Sequence, residues 1–326
     1  MSEQPYFSIG VTTFNRRELL IETLSSILAQ SFADFEVIVG NDNTGQLLTR
    51  EMLGIDDPRV RILNHAVNLG EIGNMNELLA QSRGRYFSWL ADDDLYTPDF
   101  LQAVRDAHQR FGAVPCIFTG YAMGATSTLE RTAYDQRMEQ MPGREFLRKY
   151  LDREIQALGC YGVFETRCLR DLGGMERLGL GFSPYSDNLL AIKAGALAHV
   201  CYIDAPLIFF RTHSESISYS SPDVTAYFTA QEDLCERALK VFRLPQLRDD
   251  LQHCLYQLLS HWCMTFMFHV IRRPQDAPPG RTLGAYMKFL LRTSRELDLR
   301  PRARLTFMAL EFLLRHWLFV LRRRYR

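Results

Sequence analysis

The sequence predicts an α/β protein: a mixed, mainly parallel sheet flanked by helices, followed by a helical C-terminal extension. Three observations carry this. Over the first 120 residues, short apolar runs alternate with segments of helical periodicity. The runs FSIGVTT, FEVIVG and YFSWLA are continuously apolar, as strands covered on both faces must be. After about Pro222 the helical spacing continues to the end, with one clear break at RRPQDAPPG. A boundary near residue 220 follows, giving a unit at 1–220 and a helical region at 221–326.

The elements fall in order. Phe7 to Thr13 is the first strand. Asn15 can cap the next helix, Arg16 to about Gln30, where Leu19, Leu20, Thr23, Leu24, Ile27 and Leu28 keep helical spacing. Phe35 to Gly40 is the second strand and Val60 to Leu63 the third, after the turn signal Asp56-Asp57-Pro58. A helix from about Ile72 to Gln81 leads to the fourth strand, Tyr86 to Leu90. Pro98 opens a helix to about Phe111, with Asp94 or Thr97 available to cap it, and Cys116 to Thr119 is the fifth strand. Further on, Cys160 to Phe164, His199 to Ile203 and Pro206 to Arg211 read as strands. Thr166 to Leu172 and Asp187 to Ala194 read as helices.

Composition removes several function classes. Lys plus Arg equals Asp plus Glu at 38 each, which argues against a nucleic-acid binder. The seven cysteines are scattered without a Cys-x-x-Cys pair, so a structural zinc site is not expected and a reducing compartment is. No Gly-x-Gly-x-x-Gly follows the first strand and no Gly-x-x-x-x-Gly-Lys-Ser/Thr occurs, which counts against dinucleotide and P-loop sites. The first residues lack the pattern of a signal peptide, and no run of about 18 apolar residues marks a membrane span. The expected location is cytoplasmic, or peripheral at the inner face of the plasma membrane.

Ligands of parallel sheets bind at the carboxyl ends of the strands. The polar residues there are Thr12, Thr13 and Asn15; Asn41, Asp42 and Asn43; Asn68 and Gly70; and Asp92-Asp93-Asp94. Three adjacent acids at the end of a buried strand are costly unless positive charge meets them. A hard divalent cation sharing its coordination with a substrate phosphate is the usual answer. Solvated acids around a helix cap are the bland alternative.

Together these residues resemble a family 2 glycosyltransferase of the GT-A fold, of the bacterial surface-polysaccharide type. The segments that carry the resemblance are FSIGVTTFNR, FEVIVGNDNT, NLGEIGNMNELLAQSRGRYFSWLADDD and SDNLLAIKAG…IDAPLIFFRTHSESIS, over roughly residues 5 to 220. The resemblance implies a nucleotide-diphosphate sugar donor, a glycan or lipid-linked acceptor, and Mn²⁺ or Mg²⁺. On its pattern, Thr12, Phe14, Arg16, Asp42 and Asn68 line the nucleotide-sugar site, with Asp42 toward the base. Asn-Asp-Asn-Thr is also good turn chemistry. The family's Asp-x-Asp ends on Asp93, but its first acid falls on Ala91, a departure from the usual spelling. Asp93 is accordingly assigned to the metal, Asp92 to ribose or metal, and Asp94 to a supporting or capping role. Asp187, at a helix start, matches the family's general base for an inverting displacement, and an N-cap is its structural competitor. The two acids the family often carries before this helix are replaced by Ser183-Pro184. His213 matches a position that completes the metal shell, and Arg211 could pair with phosphate.

Leu305 to Leu321 is apolar with few interruptions and ends in Arg322-Arg323-Arg324. It suits an amphipathic helix on an anionic membrane surface, or one packed on the catalytic unit or another subunit of a homo-oligomer. Two alternatives to a transferase remain at this point. A nucleotidyltransferase would carry a Gly-rich loop after the first strand, where this chain has TTFNRR. A non-catalytic scaffold relative would not be expected to keep acids at 92, 93 and 187.

Overall fold

A computed structural model describes residues 4–125, 133–134, 137–179, 183–212, 224–272 and 279–324. The strands are β1 (Phe7–Thr13), β2 (Phe35–Asn41), β3 (Val60–Asn64), β4 (Tyr86–Ala91), β5 (Leu95–Tyr96), β6 (Cys116–Gly124), β7 (Met138–Pro142), β8 (Val163–Glu165) and β9 (His199–Arg211). Among the described residues they form one sheet in the order β3-β2-β1-β4-β8-β6-β9-β5, with β7 also paired to β9. The β3-β2-β1-β4 half is wholly parallel, so its four carboxyl ends share one rim. β8 runs antiparallel between β4 and β6, making the sheet mixed.

Helices cover both faces. α1 (Arg17–Leu28) and α4 (Phe100–Phe111) pack Leu20, Leu24, Ile27, Leu101 and Val104 against Phe7, Ile9 and Val11 of β1. On the opposite face lie α3 (Gly70–Gln81), α5 (Gly143–Leu151), α6 (Thr166–Asp171) and α7 (Ser186–Ala194), burying Ile72, Met75, Leu78, Phe146, Leu169 and Leu190 against Phe87, Trp89 and Phe118. α2 (Arg50–Leu53) is a single turn between β2 and β3. The C-terminal helices are α8 (Val224–Phe242), α9 (Leu251–Arg272), α10 (Pro279–Thr293) and α11 (Leu299–Arg324). Their apolar faces share a core with the outer faces of α5 and α7: Leu147, Leu151, Leu189 and Ile192 pack among Phe228, Leu234, Leu255, Phe289 and Leu305.

Four local expectations are corrected. Asn15 does not cap α1; it sits at φ 59°, a left-handed turn that brings the chain back over the rim before the helix starts at Arg17. Neither Asp94 nor Thr97 caps α4. That helix starts at Phe100, while Asp94 is buried in a side-chain network and the Thr97 hydroxyl has no partner. The two strands expected around residues 199–211 are one, because the register against β6 shifts on both sides of Gly120 and so carries the chain past Pro206. The α3 helix begins at Gly70, two residues early, because Asp42 caps it from the neighbouring strand.

Candidate active site

Asp92 and Asp93 follow β4 at the centre of the rim. Asp92 is buried: Thr13 Oγ1 donates to its Oδ2 at 2.7 Å, and Arg16 Nη1 lies 3.4 Å from its Oδ1. Burial pushes Asp92 up to about 6, with Thr13 and Arg16 opposing and the charge of Asp93 adding to the rise. Asp93 is more open and takes Arg16 Nη1 on Oδ2 at 2.9 Å. One guanidinium therefore bridges two adjacent carboxylates on their cleft side.

Asp94 turns the other way. The Tyr161 hydroxyl donates to its Oδ2, and the backbone N–H of Arg211 donates to its Oδ1 at 2.8 Å. The Arg211 side chain is buried as well. Its Nε donates to the carbonyl of Asp93, its Nη1 pairs with Glu22, and its Nη2 lies 3.2 Å from Thr23 Oγ1. Arg211 thus fixes the backbone of the triplet from below, which corrects the expectation that it pairs with phosphate. Burial, reinforced by the neighbouring Asp93, raises Asp94 well above the carboxylate range.

Asp42 is buried, with both carboxylate oxygens engaged. The backbone N–H groups of Leu69 and Gly70 donate at 2.7 and 2.9 Å, capping α3. Asn68 reinforces this turn, donating from Nδ2 to the Asp42 carbonyl at 3.0 Å. Gly40, just upstream, has no Cβ because one would lie 2.0 Å from Asn74 Oδ1; its absence lets α3 lie against β2. Thr12 and Phe14 flank the end of β1, and Phe14 is 57% exposed, an apolar ring offered at the rim. A groove of about 260 Å³ opens beside it, lined by Thr13, Asn15, Arg16, Asn41, Asn43 and Gln46 among others.

Asp187 stands in the first turn of α7. It is partly open to water but hemmed in by protein. That burial raises it above the usual carboxylate range, against the backbone N–H groups of Asn188 and Asp187 itself. The preceding residue but one, Tyr185, holds φ at 75°, which a bulky side chain rarely adopts. Its ring packs into the core shared with the C-terminal helices and lies edge-on to Tyr227 of α8 at 6.0 Å. Gly159 presses on Asp187 from the other side: a Cβ there would lie 1.9 Å from the Asp187 carbonyl oxygen.

One acid was missed in the sequence. Glu71, in the first turn of α3, reaches solvent in the mouth of the cleft with protein on most sides. That crowding raises it, and the charges of Asp187 and Asp93 raise it further, so the three carboxylates share one electrostatic environment. Its signal was available: Glu71 lies one residue beyond Gly70 in the NLGE segment that opens α3 at the rim. The expected metal position His213 lies outside the described residues.

Asp92 and Asp93 offer hard carboxylate oxygens, the donors that Mg²⁺ and Mn²⁺ take. Among the described residues, no three acids, histidines or cysteines gather closely enough to hold an ion by themselves. The donor set therefore fits an ion that takes its other ligands from water and a diphosphate.

The parallel half-sheet and its acid-lined rim have the layout of the GT-A fold. Residues 8–166, just under half of the chain, match the family model for glycosyl transferase family 2. The chain is 29% identical over 103 residues to the putative colanic acid biosynthesis glycosyl transferase WcaA of Escherichia coli, covering 31% of this chain and 37% of that one. It is 38% identical over 93 residues to the GalNAc(5)-diNAcBac-PP-undecaprenol beta-1,3-glucosyltransferase of Campylobacter jejuni, covering 28% and 30%. The aligned part thus spans about a third of these curated relatives. S. aureus TarS in complex with UDP-GlcNAc superposes with a TM-score of 0.67 at 14% identity, over 93% of this chain and 86% of that one. The mannosyltransferase PcManGT from Pyrobaculum calidifontis, in complex with GDP-Man and Mn²⁺, gives 0.52 at 16% identity over 96% and 86%. These two structures share the fold.

Proposed function

We propose that the chain transfers a sugar, with inversion, from a nucleotide-diphosphate sugar to a hydroxyl of a glycan or lipid-linked acceptor. The observation that supports it most is that Asp92 and Asp93, bridged by Arg16, follow the carboxyl end of β4, with Asp93 and Asp187 both within electrostatic reach of Glu71. The UDP-GlcNAc and GDP-Man of the two superposed structures favour the same donor class.

The nucleoside lies along the ends of β1 and β2, over Thr12, Phe14, Arg16, Asp42 and Asn68. Asp93 would hold Mn²⁺ or Mg²⁺, with Asp92 on the ribose or the metal and His213 assigned to the metal shell. When bound, the ion supplies positive charge to the departing diphosphate. Asp187 accepts the proton of the acceptor hydroxyl as that oxygen attacks the anomeric carbon. The bond from that carbon to the phosphate oxygen breaks, and its electron pair leaves with the nucleoside diphosphate. The raised pKa of Asp187 makes it a stronger base than an ordinary carboxylate. Arg16, already on Asp92 and Asp93, adds fixed positive charge beside the leaving group. A nucleotide-sugar donor implies action in the cytoplasm.

Thermal shift with UDP, GDP, CDP and dTDP, each with and without Mn²⁺, tests the reading. A rise that needs both the metal and one diphosphate is expected. Stabilisation by nucleoside triphosphates alone would replace it with a nucleotidyltransferase. Screening nucleotide sugars for hydrolysis by mass spectrometry then identifies the donor.

A further inference from the structure

The C-terminal helix α11 turns an apolar stripe to solvent. Leu299 is 83% exposed, Phe307 70%, Leu310 55% and Leu314 57%, while Leu305 and Ala309 on its opposite side are buried in the helical core. Four large apolar side chains facing outward on one helix are not explained by packing within the chain. Phe307, Leu310 and Leu314 follow the three-and-four spacing that puts side chains on one helix face.

Charge identifies the occupant. Between Leu299 and Arg324 the sequence has seven arginines, no lysine and one acid, Glu311. Arg300 and Arg304 are exposed and stand seven and three residues before Phe307, on the same side as the stripe. A second copy laid on this face would bring two arginine-rich helices together, and their repulsion opposes it. An anionic bilayer surface satisfies both features, taking the apolar side chains below the headgroups and the guanidinium groups among them. Among the described residues no helix is long and apolar enough to cross a membrane, so the contact is a surface one.

We propose that α11 docks the protein on an anionic lipid surface through Leu299, Phe307, Leu310 and Leu314, with Arg300 and Arg304 at the headgroups. The proposal stands on this helix alone, and its test needs no catalytic activity.

The experiment is flotation of the full chain with phosphatidylcholine vesicles, with and without phosphatidylglycerol. Light scattering without lipid is run in parallel. The wild type should float only with the anionic vesicles, and release at high salt. Phe307→Glu/Leu314→Glu and Arg300→Glu/Arg304→Glu should each lower the partition coefficient by about tenfold or more. Both pairs lie on the surface, and circular dichroism confirms that they fold. No flotation of the wild type, or equal flotation with neutral vesicles, overturns the proposal. So does self-association that Phe307→Glu/Leu314→Glu abolishes in a protein that ignores vesicles, since the stripe then belongs to a second copy.

Discussion

Gly159→Ala tests the placement of the proposed base more sharply than any change to the acid itself. A Cβ at 159 would stand 1.9 Å from the Asp187 carbonyl oxygen, 2.7 Å from its carbonyl carbon and 3.0 Å from its Cα. All three are backbone atoms, so no side chain can swing aside. Contacts under 3.0 Å are not sustained, so a gap of about 1.1 Å must open between the 159–161 turn and the start of α7. Tyr185 is already held at φ 75° with its ring in the helical core, so the movement falls on Asp187. Displacing a reacting group by about 1 Å costs about 10²-fold in rate, and overpacking costs about 1–3 kcal/mol of stability. Steady-state kinetics should therefore show kcat down about 10²-fold with the donor KM little changed. Gly162→Ala is the control, because the nearest atoms to its Cβ belong to the Phe118 and Phe164 rings, at 2.6 and 2.7 Å. It should lower the Tm and leave kcat near wild type. If Gly159→Ala folds and turns over normally, Asp187 is not the base, or its position does not matter to the reaction.

Four other outcomes are expected. Asp187→Asn should keep donor binding by calorimetry and lose about 10²–10⁴-fold in transfer. Asp93→Ala should abolish the metal-dependent part of the thermal shift with nucleoside diphosphate while leaving the protein folded. Asp94→Ala removes the acceptor of the Tyr161 hydroxyl and of the Arg211 backbone N–H, and each buried donor left unpaired should cost about 1–3 kcal/mol in denaturant unfolding, whatever the ligand. Asp92 gives a pH signature. Its folded pKa of about 6 lies above the unfolded value of 3.8, so the native state binds the extra proton between them. Its contribution to stability is then greatest below the unfolded value and falls as pH rises through about 6. Denaturant melts of wild type and Asp92→Asn should diverge across that window. Stabilisation by Mn²⁺ plus diphosphate should grow over the same range as the carboxylate ionises.

The parallel half of the sheet was legible because each of its strands is a continuous apolar run ending in polar residues, and those ends lie on one rim. What local pattern could not carry was direction and partnership. The strand expected at Cys160 to Phe164 is the three-residue β8, which starts only at Val163 after a turn at Gly159–Tyr161, and nothing in its sequence announces that it runs antiparallel between β4 and β6. Asp92, Asp93 and Asp94 look equivalent in sequence, yet Thr13 and Arg16 hold the first two toward the cleft while Tyr161 and Arg211 draw the third inward. Those partners lie 67 to 117 residues from Asp94 along the chain. Arg211 shows the same limit: beside His213 in sequence it suggested phosphate, but its guanidinium is used up inside the protein. Asp42 follows the expected strand end and also caps α3, a role that depends on a turn 27 residues away. Glu71 was overlooked although it stands beside Gly70 in the rim segment; what the sequence does not carry is the influence of Asp93 and Asp187, which the fold brings to it.

The joint core of α5, α7 and the C-terminal helices has a practical consequence. Cutting the chain near residue 220 would not release a self-sufficient catalytic half, because Leu147, Leu151, Leu189 and Ile192 would lose the apolar neighbours that cover them. The proposed base and the tail are thus anchored in the same packed layer. Tyr185, at the start of α7, and Leu305 of α11 belong to that one core, so the two parts are best varied together when the protein is re-engineered.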